Sequence, residues 1–399
     1  MSAVPTPLTP AYPPGAAMLP TARPAYQPAH DGGHDGGRED VREDVREDRR
    51  EHGPEHEDAP ARVLERCRAL VRPALVEAVG RLQPWTGEMA AYALGWSDPA
   101  GTPDPGATEG KGVRQALVVL GAEGVGADGA DAVPGAVAVE LVHTFSLLHD
   151  DIMDGDALRR QRPAVWKAYG TGPAVLAGDA LLARAVTTLA ETAGPHAAPA
   201  VRCLCRTLNA LVSGQAQDLR FEDRPWHGPG AVAPEEYRSM AEHKTGALLG
   251  CALALGAVLG GAPGTTVTAL ERAGRQLGLA FQAVDDMLGI WGDPAVTGKP
   301  VHADLRRGKK TYPMLAALSG AGGAARELAA LLDPPRPLDH EAAARVAALV
   351  EDAGGRTAAR EEARRQLDTA RRALRDASLT PTAGRRLDGL FTYVLDRTR

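Results

Sequence analysis

The chain has 399 residues, 44% of them hydrophobic, 24% charged and only 4% aromatic, with a formal net charge of −6. That length can bury a sizeable core, and plentiful Ala, Leu and Val with few aromatics favours closely packed helices over an aromatic-cored β-sandwich. The acidic balance argues against nucleic acid as the main partner, since a phosphate backbone needs a basic surface; a small anion held by a local Lys/Arg cluster remains open.

Residues 1–60 read as a disordered tail, first rich in Pro, Ala and Thr, then dominated by Gly, His, Arg, Asp and Glu. Neither half buries enough apolar surface to offset the entropy of ordering. Arg38 to Glu51 repeats as REDV-REDV-RED, a solvated spacer, and Pro-Ala-Tyr-x-Pro occurs at Pro10–Pro14 and again at Pro24–Pro28. Repeated aromatics in a Pro-rich tail suit docking onto a partner's groove; compositional drift is the alternative. The proline-peppered start has no apolar segment of the signal-peptide kind, and no stretch approaches the ~20 apolar residues of a membrane span. Cys67, Cys203, Cys205 and Cys251 lack metal-ligand spacing and read as free thiols in a reducing cytoplasm.

Helical periodicity begins at Arg62 to Leu82, where Val63, Leu64, Leu70, Val71, Leu75, Val76, Val79 and Leu82 recur. After a Pro/Gly loop between Trp96 and Gly112, helices are predicted over 113–122, 131–153, 172–193, 197–218, 234–260, 265–291, 310–318, 323–332, 340–353, 356–377 and 382–396. No segment alternates as a strand does. Residues 61–399 are therefore expected to form one all-α domain of about a dozen helices.

Two acidic clusters carry the chemistry. In LLHDDIMDGDALRRQRP, Leu147 to Pro163, Asp150 and Asp154 lie one turn apart on one helical face, and Asp151 and Asp156 add to their repulsion. Something cationic has to neutralise them. Hard carboxylate oxygens suit Mg²⁺, which takes one or two carboxylates plus substrate phosphates, and Arg159, Arg160 and Arg162 stand ready for phosphate. FQAVDDML, Phe281 to Leu288, sets Asp285 and Asp286 at the end of another apolar helix, followed by Lys299, Asp304, Arg306, Arg307, Lys309 and Lys310. Two acid pairs on separate helices, each trailed by cations, can grip a diphosphate from both sides.

From about Gly110 to Thr311 these residues resemble the trans-isoprenyl diphosphate synthases, and the fold the resemblance implies is the large helical bundle of that family. It implies Asp150, Asp154 and Asp285 as magnesium ligands of the reacting centre, with Asp151 and Asp286 supporting them. It implies Lys111, Arg114, His143 and Arg160 as contacts for isopentenyl diphosphate. Arg159, Lys244, Thr245, Gln282, Lys299 and Lys309 would hold the allylic diphosphate and close the site, with Lys244 and Gln282 near the reacting bond. His143, seven residues before Asp150, lies on the stripe of the metal site, and Gln215 and Asp218 in GQAQD match a further motif. Four positions depart from the family pattern: Gly112 and Gln115 replace an Arg and a Pro, Gln161 replaces the glycine after the paired arginines, and Gly289 replaces a third Asp.

The chemistry so implied is ionisation of the allylic diphosphate, attack by the isopentenyl double bond and loss of a proton to the departing diphosphate, in a dry site. Phe145 and Ser146, five and four residues before Asp150, resemble the chain-length positions of geranylgeranyl diphosphate synthases, so a C20 product is expected; a C15 product, or a non-catalytic subunit of a heteromeric synthase, are the alternatives. A terpene cyclase is disfavoured, because Asp285 and Asp286 stand where cyclases carry an Asn/Ser/Glu motif. The resemblance also implies a homodimer. The tail is similar to those of bacterial synthases packaged as encapsulin cargo, which would put a cytoplasmic enzyme inside a protein nanocompartment.

Overall fold

ALLGCALALGAVL, Ala247–Leu259, is apolar on every side, and a helix of that kind has to be surrounded. In the computed structural model of the chain, which describes residues 58–104, 110–294, 301–333 and 338–396, it is the central helix of an all-α bundle. The tail repeats and Lys299 lie outside those residues.

In chain order the elements are α1 (Pro60–Gly80), α2 (Pro84–Leu94) and α3 (Val113–Gly124), then α4 (Val133–Met153), entered through a 3₁₀ turn at Gly129–Ala132. A two-residue hairpin pairs β1 (Leu158–Arg159) with β2 (Arg162–Pro163). There follow α5 (Val165–Tyr169), α6 (Thr171–Ala190), α7 (Ala197–Glu222), α8 (Pro234–Ala241), a π turn at Glu242–Gly246 and the central α9 (Ala247–Leu259). Next come α10 (Gly264–Trp291), α11 (Ala303–Arg306), α12 (Tyr312–Leu318) and α13 (Gly323–Leu331). The last three are α14 (His340–Asp352), α15 (Gly355–Asp376) and α16 (Pro381–Leu395).

Helix α9 packs against α3, α4, α7 and α10. Small residues let the backbones touch: a Cβ on Gly256 would stand 2.0 Å from the Val118 carbonyl oxygen, and one on Gly274 would stand 2.3 Å from that of Leu249. The π turn is pinched in the same way. A Cβ on Gly214 of α7 would lie 2.4 Å from the Lys244 nitrogen, and one on Gly278 of α10 would lie 2.4 Å from the Gly246 Cα. Single π turns recur at functional sites, and this one carries Lys244 and Thr245.

The predicted helices match the observed ones to within a few residues, but three features depart from the expectation. Helices α2 and α5 are too short to show a clear period. The hairpin β1–β2 has only two residues per strand, so no alternation precedes it. The statement about membrane-span length also needs correcting: 129–153 and 171–190 are long and apolar enough by length and composition. The first is mostly buried in the bundle, whereas only about a third of the second is, and Val175 and Leu176 are exposed on it.

Candidate active site

The C-terminal half of α4, the π turn and the end of α10 surround a cavity of about 640 Å³. Asp150 comes to its wall from α4 and Asp285 from α10. Neither carboxylate accepts a hydrogen bond from the described residues. Burial, helped by the nearby charges of Asp154 and Asp218 and opposed by Lys244 and Arg159, pushes Asp150 up to about 6. A carboxylate so placed gains from a cation brought in by the substrate. Among the described residues no three His, Cys, Asp or Glu side chains form a preassembled metal cluster. Carboxylate oxygens lining one cavity nevertheless fit Mg²⁺, which completes its shell with phosphate and water.

The remaining acids of the two clusters are held by protein groups. Asp151 is buried and takes both Nε and Nη2 of Arg159, at 2.8 and 2.6 Å. Asp154 accepts from Lys309 Nζ at 2.7 Å, and Asp156 pairs with Arg307. Burial works against the Lys309 charge, yet Asp154, Asp218 and Asp304 hold the ammonium above the ordinary lysine range. Asp286 lies beneath the wall, accepting from Tyr237 Oη at 2.7 Å, Gln282 Nε2 at 2.9 Å and the Tyr312 N–H at 2.9 Å. Burial is the largest influence on it and pushes it up to about 7.

That last network reaches the cavity. Gln282, oriented by Asp286, accepts from Thr245 Oγ1 at 2.8 Å, and both line the wall. Lys244 beside them donates to Asp218 at 2.5 Å. Gln215, one turn before Asp218, donates weakly to the Met153 sulfur at 3.9 Å.

Further cations line the cavity. Lys111, Arg114, Arg159 and Arg160 all line the cavity, with His143 between them. Burial, then the charges of Arg114, Arg160 and Arg159, drives the His143 imidazole well below its usual range, so it is neutral, 3.2 Å from Arg114 Nη1. Arg159 and Arg160 are presented by the hairpin. Its turn residues Arg160 (φ 51) and Gln161 (φ 63) are both left-handed, as a tight two-residue hairpin requires and as glycine would adopt more easily. Arg162 anchors the hairpin to α2 and the loop after it, donating to the Ser97 carbonyl at 2.5 Å and lying 4.3 Å from the centre of the Tyr92 ring.

The departures from the family pattern have local partners. Gly112 is left-handed (φ 70), and the Arg68 guanidinium from α1 stands 3.6 Å from where its Cβ would be. Gln115 is buried and stands beside Glu140, a buried acid of the cavity wall, whose charge it favours against burial. Of the chain-length pair, Ser146 lines the cavity, whereas Phe145 does not; its ring meets His149 edge-on at 4.9 Å. Leu211, Leu248, Leu249 and Phe281 form the apolar wall.

Sequence reasoning missed Glu140, Tyr237 and Tyr393. Glu140 carried a signal, an acid inside the apolar run Val137 to Val142. Tyr237 and Tyr393 lie on helices far from either cluster in sequence, and nothing in their own neighbourhoods marks them. Tyr393 of α16 lines the cavity with its ring 5.5 Å from Lys111 Nζ.

The helical bundle and its cavity of facing acids and cations define an all-helical trans-prenyltransferase. A family model described as polyprenyl synthetase matches residues 106–350, and the chain belongs to that family. It is 44% identical over 339 residues to a (2E,6E)-farnesyl diphosphate synthase of Mycobacterium tuberculosis, covering 84% of this chain and 92% of the relative. It is 46% identical over 325 residues to a geranylgeranyl diphosphate synthase of the same organism, covering 81% and 91%. The crystal structure of a polyprenyl synthetase from Streptomyces coelicolor A3(2) superposes with a TM-score of 0.78 at 48% identity, over 84% of this chain and 98% of that one.

Proposed function

We propose that the chain joins isopentenyl diphosphate head-to-tail (1′-4) to allylic diphosphates in a magnesium-dependent reaction, with geranylgeranyl diphosphate (C20) as end point. The observation that carries this reading is that the carboxylates of Asp150 and Asp285 line one cavity together with Lys111, Arg114, Arg159, Arg160 and Lys244. Asp150 and Asp285, with Asp154, would hold Mg²⁺, and the ion would supply charge neutralisation for the leaving diphosphate. Lys244, Thr245, Gln282 and Lys309 hold the allylic diphosphate, and Lys299 joins them by family likeness. Arg159 fixes Asp151 and faces the same group. Lys111, Arg114, Arg160 and neutral His143 hold isopentenyl diphosphate.

Leu211, Leu248, Leu249 and Phe281 keep water from the allylic cation. The small Ser146 on the wall supports a product longer than C15, while relatives of nearly equal identity carry both the farnesyl and the geranylgeranyl name. The exposed Val175 and Leu176 on α6 and Val212 on α7 support a homodimer. The repeated PAYxP segments of the tail support docking onto an encapsulin-type shell in the cytoplasm.

Purified protein is to be incubated with Mg²⁺, isopentenyl diphosphate and C5, C10 or C15 allylic diphosphates, and the dephosphorylated products sized. A magnesium-dependent C20 alcohol is expected. A C15 end point would keep the reaction and shift the floor of the cavity; no product from any starter would overturn the reading.

A further inference from the structure

Gly289 lies four residues beyond Asp285, one turn along the same face of α10. The room for a side chain there is already taken. A Cβ on Gly289 would stand 1.8 Å from Oδ2 of Asp304 and 2.5 Å from its Cγ. Asp304 belongs to α11, which is entered through left-handed His302 (φ 59) and left through Gly308 (φ 67). The Lys309 N–H donates to the Asp304 carbonyl at 3.0 Å, so the turn that brings a carboxylate to Gly289 also delivers the ammonium that meets Asp154. The Asp304 charge acts on both sides of this arrangement. It adds to the burial that raises Asp286, and it helps hold the Lys309 charge against burial.

We propose that Asp304 supplies the third carboxylate of the second acidic cluster, standing in the side-chain space of Gly289 and sharing with Asp285 the hold on a Mg²⁺ ion or its water shell. The carboxylate absent at 289 is thus delivered from a neighbouring element, and Gly289 is glycine because that element needs the room. This inference rests on the reading of Asp285 as a metal ligand.

The test is titration of the full chain with Mn²⁺ in the presence of inorganic pyrophosphate, following free Mn²⁺ by electron paramagnetic resonance, with melting curves as the check on folding. Asp304→Asn keeps the shape and removes the charge, and is expected to weaken Mn²⁺ binding about tenfold, the lower end for losing a supporting group of a metal site. Gly289→Asp alone sets two carboxylates in one place and is expected to weaken binding and lower the melting temperature. Gly289→Asp with Asp304→Ala returns a single carboxylate to the site and is expected to bind within about threefold of the unaltered protein. Unchanged binding by Asp304→Asn, or a double variant no tighter than Asp304→Ala, would overturn the inference while leaving the metal site standing. No Mn²⁺ binding by the unaltered protein would overturn the reading of the site and this inference with it.

Discussion

Asp286 sits beside Asp285 in sequence and does a different job. It is 3% exposed, takes three hydrogen bonds, and through Gln282 sets the position of Thr245 on the cavity wall. Its folded-state proton affinity, raised to about 7 chiefly by burial, lies well above the ordinary carboxylate value of 3.8. The folded protein therefore binds this proton more tightly than the unfolded chain. The stabilisation is fully present below the unfolded value and is lost as pH rises through about 7. In chelator-treated protein, Asp286→Asn is expected to flatten the fall in melting temperature between about pH 5.5 and pH 8. Parallel curves for the two proteins would show that Asp286 does not titrate there. A drop in kcat/KM with little change in fold would mark its role in positioning Gln282.

At the scale of elements, the site depends on close approach. The π turn presents Lys244 to Asp218 and Thr245 to Gln282 because Gly214 and Gly278 let α7 and α10 press against it. Gly278→Ala puts a methyl group 2.4 Å from the Gly246 Cα, and the turn has to move. The expected cost is about 1–3 kcal/mol of stability, typical of overpacking, together with roughly tenfold weaker use of the allylic substrate. Calorimetry and steady-state kinetics check this, and a variant equal to the unaltered protein in both would show that the turn tolerates the methyl. The hairpin β1–β2 depends on packing in another way. Two residues per strand cannot hold a register alone, so Arg162 and the Tyr92 hydroxyl, which donates to the Pro163 carbonyl at 2.7 Å, fasten it to α2.

For the whole molecule, the proposed catalytic role belongs to the helical bundle and the proposed docking role to the tail. Among the described residues the cavity is lined by residues between Gly110 and Val394, and the exposed apolar residues Val175, Leu176 and Val212 belong to the same bundle. A chain lacking residues 1–57 is therefore expected to keep its turnover and to sediment at twice its own mass. It is expected to lose co-purification with a co-expressed encapsulin-type shell. Shell binding retained without the tail would remove the PAYxP repeats from the argument, and loss of turnover would mean that the tail contributes to the site.

The sequence by itself determined the all-α fold, the helix spans and the two acidic clusters, because period, length and like-charge spacing are local properties. Its motifs also singled out Lys111, Arg114, Arg159, Arg160 and Lys244, which the structure brings to one cavity. It could not rank Ser146 above Phe145 as the residue on the wall, since neighbours on one helix turn differ only in what the other helices leave beside them. It could not separate the carboxylates of Asp150 and Asp285 from those of Asp151, Asp154 and Asp286, because that division is made by Arg159, Lys309 and Tyr237 arriving from elsewhere. Gly289 reads along the chain as a lost ligand. Only the packing of α11 on α10 shows a carboxylate from Asp304 in its place, because a group supplied across a tertiary contact leaves no mark on the local spacing of the residues it serves.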